Sequence, residues 1–461
     1  MLKVLKFGGT SVGTIESLRN VKAIVEGLPD PAIIVVSALG GLTDKLIATA
    51  RSASEGKTDY VEEMVGIRKR HHDIISELIP EERKEHVFSE VDALLDSLEE
   101  RYRGLSLIRI LPERTLDEIV SFGERMSSVI VSGMLSEATH HNSLDFVKTE
   151  KWFSRNIADR KLTDELIRKQ FCLPLNKHAV AGGFISTDRD TGEITNLGRG
   201  GSDYTAALIA AALNADLLEI WTDVDGFLTA DPRIIKGASI IPSMSFVESM
   251  ELCSFGAKVI YPPTIYPVFH KNIPIKILNT FNPTAPGTMI SDAVPSKGKA
   301  RGVSSLSNTS VITMSGSLTS NVAEINSRAY NAMARNGISV FLVAQPSIES
   351  SFSIAMPQAD GEKALEQLRL EFSPELQSGE LTDLAKTDNL SVIAVVGEGI
   401  KQSKGLGQNI VKELMSAGVS VKAISEGASD TTVAVVVDNG DVREGLNIVH
   451  ELCFEKMLSE K

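Results

Sequence analysis

Several groups of charged residues and glycines in this 461-residue chain could do chemistry. The first is Lys6-Phe7-Gly8-Gly9, at the end of an apolar run (Leu2, Val4, Leu5, Phe7) with Lys3 and Lys6 interleaved. A strand that hands a glycine turn and Thr10-Ser11 to a helix start is a common way to hold a phosphate, since backbone amides then face the anion. The lysine precedes the glycines, which matches neither usual phosphate-loop spacing. The second group is "LGRGGSDYTAALIAAAL", where Gly198, Gly200 and Gly201 let the backbone approach a ligand closely. A tight turn with Ser202 or Asp203 as helix cap explains the glycines. It does not call for Arg199, whose guanidinium fork can clamp a carboxylate or phosphate. With Asp203 able to hold an ammonium group, cation and anion side by side suit a zwitterionic amino acid.

"EIWTDVDGFLTADPR" carries Asp223, Asp225 and Asp231 among turn residues. The spacing is part of a calcium loop, but the glycine is misplaced and the closing glutamate is missing. A loop capping a nucleotide, with Arg233 toward phosphate, fits better, although a solvated turn suffices for Asp225. Glu124 in "SFGERMSS" is expected at the head of an apolar helix, where a carboxylate could simply favour the helix dipole. Lys258 in "SFGAKVIYPPT" lies between a glycine and a β-like run and reads alone as a surface lysine. Thr43 and Asp44 in "VVSALGGLTDKL" are candidates for cap or ligand. His71–His72 and His140–His141 fall in polar helical surroundings and read as solvated faces. No Ser-His-Asp or metal-ligand spacing stands out. The glycines of "GEGIKQSKGLG" have the wrong spacing for a dinucleotide fingerprint.

These residues need a scaffold that brings strand ends together. Up to about residue 290, β-rich runs ("AIIVVSAL", "VAGGFIS", "LLEIWTDV", "IPIKIL") alternate with helical patterns. "AIIVVSAL" is apolar on both faces, as a buried parallel strand must be. The alternation predicts a doubly wound, mostly parallel α/β domain with ligands at the carboxyl ends of its strands. The charged, helical stretch from Lys57 to Arg109 reads as an excursion from that sheet. "SDAVPSKGKARG" reads as a linker. Beyond it the chain repeats at an offset of 81: "SVITMSG" recurs as "SVIAVVG", "NGISVFLVAQ" as "AGVSVKAISE", and Gly316 falls on Gly397. Each copy reads β-α-β-β-α, a ferredoxin-like unit. The expected domains are 1–292, 309–388 and 389–461, the last completed by a strand from 300–308.

Composition limits the partners. An apolar fraction of 43% and a charged fraction of 23% are those of an ordinary globular chain. A net charge of −13 argues against nucleic acid or an anionic membrane, and any anionic substrate needs local cations. Cys172, Cys253 and Cys453 are scattered and odd in number, as for thiols in a reducing compartment. The opening run is broken too early for a signal peptide, and "TAALIAAAL" is too short to span a bilayer, so a cytoplasmic protein is expected.

In order and spacing, "KFGGTSV", "SFGER", "GRGGSDYTA", "WTDVDG...DPR" and "FGAKV" resemble the aspartokinases over nearly the whole chain, and the duplicated tail resembles a pair of ACT domains. The resemblance implies an amino-acid-kinase fold and transfer of the ATP γ-phosphoryl group to the side-chain carboxylate of L-aspartate. The product would be 4-phospho-L-aspartate, on the way to lysine, threonine and methionine. It implies that Lys6, with the amides of Gly8 and Gly9, holds the transferring phosphate. Thr43, Glu124, Arg199, Ser202 and Asp203 would hold aspartate, with Lys6 and Asp203 catalytic. Thr222, Asp223, Arg233, Lys258 and Val259 would line the ATP site, with Mg²⁺ held mainly by phosphates and water rather than by a protein metal site. The tail is most similar to threonine-responsive members. There the resemblance assigns Val343 and Gln345 in the first module, and Ile424 and Glu426 in the second, to a feedback effector. Glu426 stands where the group has glutamine and leaves lysine open as an alternative to threonine. The resemblance further implies a monofunctional enzyme and a homodimer or homotetramer. Asp44, Leu228 and Tyr261 depart from the family's usual Asn, Tyr and His. Two other functions fit the same motifs: another amino-acid kinase of this fold, or a non-catalytic amino-acid sensor.

Overall fold

A computed structural model of the chain describes all residues except 153–154, 293–299, 317–321, 345–351, 401–404, 427–429 and 455–461. The chain divides into two compact units. The first comprises Met1–Phe227, Pro242–Phe246 and Val259–Ala293; the second comprises Leu228–Ile241, Val247–Lys258 and Val294–Lys461.

The first unit opens with β1 (Lys3–Phe7), α1 (Ile15–Glu26), β2 (Ile33–Val36) and α2 (Leu42–Ser54). Three long helices follow: α3 (Tyr60–Leu78), α4 (Glu81–Ile108) and α5 (Glu113–Met134). Then come β3 (Ala138–His141), α6 (Ser143–Phe146), β4 (Lys148–Trp152), β5 (Arg155–Ala158) and α7 (Arg160–Gln170). The chain continues through β6 (His178–Gly182), β7 (Ile185–Asp188), β8 (Ile194–Asn196), α8 (Gly201–Leu213) and β9 (Leu217–Thr222). Short elements close the unit: β10 (Ser243–Met244), α9 (Phe246–Ser254, mostly in the second unit), α10 (Tyr266–Phe269), β11 (Ile275–Asn279) and β12 (Thr288–Ile290).

Eight strands form one sheet in the order β10-β12-β11-β9-β1-β2-β6-β3. Every pairing is parallel except β11 with β12. This is the doubly wound α/β sheet expected from the alternation. Strand β1 lies at its centre, with Lys6 opposite Val35 of β2 and Ile220 of β9. Strands buried on both faces read as unbroken apolar runs, and Ile33–Val36 is fully buried. "VAGGFIS" does not make one strand: β6 joins the large sheet, while β7 turns into a second sheet of order β5-β4-β7-β8. The break falls at Gly183, where a Cβ would lie 2.5 Å from Ser202 Cβ, and at Phe184, whose φ is +68°.

The second unit contains β13 (Gly302–Gly316), α11 (Val322–Arg335), β14 (Leu342–Ala344), β15 (Phe352–Pro357), α12 (Gln358–Glu371) and α13 (Ser373–Ser378). These are followed by β16 (Leu381–Val396), α14 (Leu406–Ser416), β17 (Val421–Ser425), β18 (Thr432–Asp438) and α15 (Val442–Phe454). Its six-stranded antiparallel sheet runs β14-β15-β13-β16-β18-β17. The two long strands serve both copies of the repeat. Residues 309–314 of β13 pair with β15, whereas Gly302–Leu306 pair with Val392–Val396 of β16. The midpoints, Asn308 and Asn389, both have positive φ (55° and 58°) and are 81 residues apart. Asparagine tolerates that region better than most residues, so each strand can bend from one module into the next. Among the described residues, no helix is long and apolar enough to cross a membrane.

Candidate active site

Lys6 is the penultimate residue of β1, its side chain is only 11% exposed, and its Nζ lies 2.7 Å from Oδ1 of Asp203. Asp203 stands in the first turn of α8, where the helix dipole favours a carboxylate. The contact is an ion pair rather than a well-angled hydrogen bond, since Oδ1 has no partner with hydrogen-bond geometry. The cap position belongs to Gly200, whose φ of +71° opens the helix, and not to Ser202 or Asp203 as the sequence suggested. A Cβ at Gly200 would lie 2.6 Å from Cβ of Tyr261. The Arg199 guanidinium lies over that Tyr261 ring, 5.8 Å from its centroid, a contact that helps to orient the arginine.

The glycine loop after β1 is tied down on both sides. The Gly8 amide donates to the carbonyl of Trp221 at 3.1 Å, which continues the β1–β9 ladder and commits that donor. Ser11 Oγ, fully buried, lies 2.7 Å from Thr280 Oγ1 and 3.3 Å from the Trp221 carbonyl. Gly9 and Gly40 pack backbone to backbone: a Cβ on Gly40 would sit 2.9 Å from the Gly9 carbonyl. Thr43 follows that second loop in the first turn of α2, half-buried, with Gly41 in the left-handed cap position.

Glu124 is 4% exposed and lies inside α5, not at a helix start. Gly123 reads as a helix break in the sequence, but the helix runs through it. A Cβ there would lie 2.7 Å from the Cβ of Ala38, so glycine lets α5 approach the loop after β2. Burial pushes the Glu124 carboxyl up to about 8, while the Ala38 amide and the charge of Lys6 pull the other way. Its Oε2 has no hydrogen-bond partner among the described residues. A buried carboxyl oxygen left without a donor is costly unless a ligand supplies one.

The nucleotide candidates divide between the two units. Thr222, Asp223 and Val259 belong to the first, Arg233 and Lys258 to the second. Asp223 is exposed at the end of β9 with Thr222 Oγ1 at 3.3 Å, while Asp225 accepts hydrogen bonds from the amides of Asn279 and Asn282. Arg233 is 82% exposed and paired with Asp231 at 2.6 Å. Val343 and Ile424 lie on the edge strands β14 and β17; Gln345 lies outside the described residues. The carboxylate of Glu426 fills the space a Cβ on Gly407 would need, beside the first turn of α14. The histidines differ from the sequence reading: His71 is fully buried, with Nδ1 2.7 Å from the Ile67 carbonyl, and burial lowers its pKa to about 4. His140 is also largely shielded and bonds Ser128. Ser11 reads in the sequence only as part of the turn after β1, while Gly183 and Arg70, which donates to the Gly13 and Gly40 carbonyls, are not singled out by the sequence.

Residues 1–279 match the amino acid kinase family, and residues 312–372 and 393–452 each match an ACT domain. The chain therefore belongs to the amino acid kinase family and carries an ACT pair. Along 98% of its length it is 33% identical to the bifunctional aspartokinase/homoserine dehydrogenase of Haemophilus influenzae, covering 56% of that protein. It is 29% identical to the chloroplastic aspartokinase 2 of Arabidopsis thaliana, again over 98% of this chain and over 84% of that one. The crystal structure of E. coli aspartokinase III in complex with aspartate and ADP superposes with a TM-score of 0.85 at 28% identity, covering 99% of this chain and 100% of the other. The chain spans about half the length of the bifunctional relatives it matches.

Proposed function

We propose that the protein is an aspartate kinase. The β-carboxylate oxygen of L-aspartate attacks the γ-phosphorus of ATP, the bond to the bridging oxygen breaks, and ADP leaves. The nucleophile is already ionised, so no proton has to be removed. Donor and acceptor are both anions, and the task is to hold them together and spread the charge of the transferring group. The Lys6–Asp203 pair carries this reading: a buried ammonium at the end of the central strand, held in place by a carboxylate, is a preorganised cation for that charge. Asp203 keeps Lys6 extended, and the orphaned Glu124 oxygen supplies an acceptor for the α-ammonium of aspartate. Arg199 would clamp the α-carboxylate, with Ser202 and Thr43 beside it. With Gly8's amide committed to Trp221, Lys6 and the Gly9 segment remain to face phosphate.

Thr222, Asp223, Arg233, Lys258 and Val259 are proposed for ATP. Mg²⁺ would enter on the phosphates and neutralise them, and exposed Asp223 is the carboxylate this chain could add. An assay coupled to ADP release, run across aspartate, glutamate and N-acetylglutamate, tests the assignment; turnover only with another acceptor would overturn it. Absence of ATP binding by calorimetry would favour the sensor reading.

Feedback through the ACT pair is the second part of the proposal, with threonine favoured and lysine the alternative; the aspartokinase III structure that also matches this fold holds lysine and aspartate. An inhibitor must bind the inactive state more tightly than the active one. Adding each amino acid to the kinase assay identifies it, and indifference to both removes the regulatory reading. Edge strands β14 and β17 suit pairing between copies, so a homodimer is proposed, checked by light scattering.

A further inference from the structure

Arginine 70 lies on α3, in the helical excursion that supplies none of the proposed ligand contacts. Its Nη2 donates to two backbone carbonyls, Gly13 at 2.7 Å and Gly40 at 2.9 Å. Those carbonyls belong to the loops after β1 and β2, which flank Lys6 and lead to Thr43. The backbones of the two loops approach each other closely. They meet through glycines: a Cβ on Gly13 would lie 3.0 Å from the Gly9 carbonyl and 3.4 Å from the Gly40 amide nitrogen, and one on Gly9 would lie 3.5 Å from Gly40 Cα. Glycine packing allows close approach but fixes no single geometry, because glycine is the residue with the widest backbone freedom. One guanidinium bridging both carbonyls removes that freedom. Burial disfavours its charge, so the arginine is partly desolvated behind the loops and its hydrogen bonds are correspondingly strong. Arg70 is itself held where it is: the neighbouring Arg68 pairs with Asp92 and Asp96 of α4, and Arg19 of α1 pairs with Glu77 near the end of α3.

We propose that Arg70 is a positioning residue that locks the two glycine loops into the one arrangement that phosphoryl transfer requires. It touches neither nucleotide nor acceptor and acts through the loop backbones. The inference rests on the kinase reading for its effect on rate, but the locking itself does not. A misplacement of the order of 1 Å at reacting groups can cost about 100-fold in rate. Arg70→Ala should therefore lower kcat by roughly 10- to 100-fold while the KM for aspartate changes less than about 3-fold. Millimolar guanidinium should restore part of the loss, and Arg70→Lys should retain more activity than Arg70→Ala. Hydrogen exchange measured on the full chain without substrates should show residues 8–13 and 39–43 losing protection together in Arg70→Ala. Unchanged protection in either loop overturns the proposal. So does a normal kcat with only a lower melting temperature, or a reduced kcat that guanidinium leaves unmoved. If the wild type phosphorylates no aspartate, the function assignment fails, and the exchange experiment still decides the clamp.

Discussion

Replacing Glu124 by glutamine should change how stability depends on pH. Burial raises the Glu124 carboxyl from 4.5 to about 8 in the folded protein. In the unfolded chain the same group ionises near its ordinary value. Between these two values the folded state keeps a proton that the unfolded state has lost, so folding becomes less favourable as pH rises through this window and levels off above it. Between pH 5 and pH 7.5 the wild type should lose about 3 kcal/mol from this group alone, at 1.36 kcal/mol per pH unit. Glu124→Gln keeps the shape and cannot ionise. Urea denaturation of the ligand-free protein, followed through the transition of the kinase unit, should therefore give a wild-type-minus-variant difference that falls by about that amount across the range. A flat difference would refute the reasoning. A second readout follows from the ligand. If the α-ammonium of aspartate meets Glu124 Oε2, its charge favours the ionised carboxyl, and binding near neutral pH should expel close to one proton. Calorimetry in buffers of different ionisation enthalpy measures that proton, and a binding enthalpy independent of buffer would remove Glu124 from the acceptor site.

Lys6→Met should lower kcat by about 100-fold or more, as for loss of one preorganised charge-stabilising group, and Asp203→Asn should lower it less, because the ammonium then loses its guide but not its charge; steady-state kinetics at saturating substrates check both. Gly183→Ala would place a methyl 2.5 Å from Ser202 Cβ, and overpacking of this kind should cost about 1–3 kcal/mol in thermal denaturation and weaken aspartate binding. Arg328 joins α11 to Glu371 and Glu375 and lies over the Phe372 ring at 4.5 Å, so Arg328→Met should lower the unfolding free energy of the ACT unit, from urea denaturation, by about 1–2 kcal/mol at low salt, with a smaller difference at high salt. Tyr261→Ala should remove the ring that lies against Arg199, raising the KM for aspartate with little change in stability.

The sheet was legible because its strands are buried on both faces and write themselves as apolar runs between glycine turns; "AIIVVSAL" and "LLEIWT" could hardly be anything else. Lys6 and Asp203 stand out as charges beside glycines, one near a strand end and one at a helix start, but nothing in the sequence shows that they pair with each other. Glu124 reads from the sequence as a helix start and lies instead inside α5, since a glycine before it looks like a helix break until Ala38 is seen to press against it. Arg70 could not be found. In "GIRKRHHDI" it is one cation among several on an amphipathic helix, and only the direction of its fork separates it from Arg68 and Lys69. His71 failed for the same reason: side by side with His72, one ring points inward and the other to Asp92.

The long strands β13 and β16 have an evolutionary consequence. Each gives one half to one ACT module and the other half to its twin, so the two copies descend together like the halves of a woven joint. Deleting either would strip a strand from the survivor and bare its apolar face. A lineage that needs only one effector site therefore cannot discard the other module; it can only let single residues drift. Glu426, whose carboxylate lies against Gly407 in the second copy, stands at the kind of position where such a constraint leaves room for change.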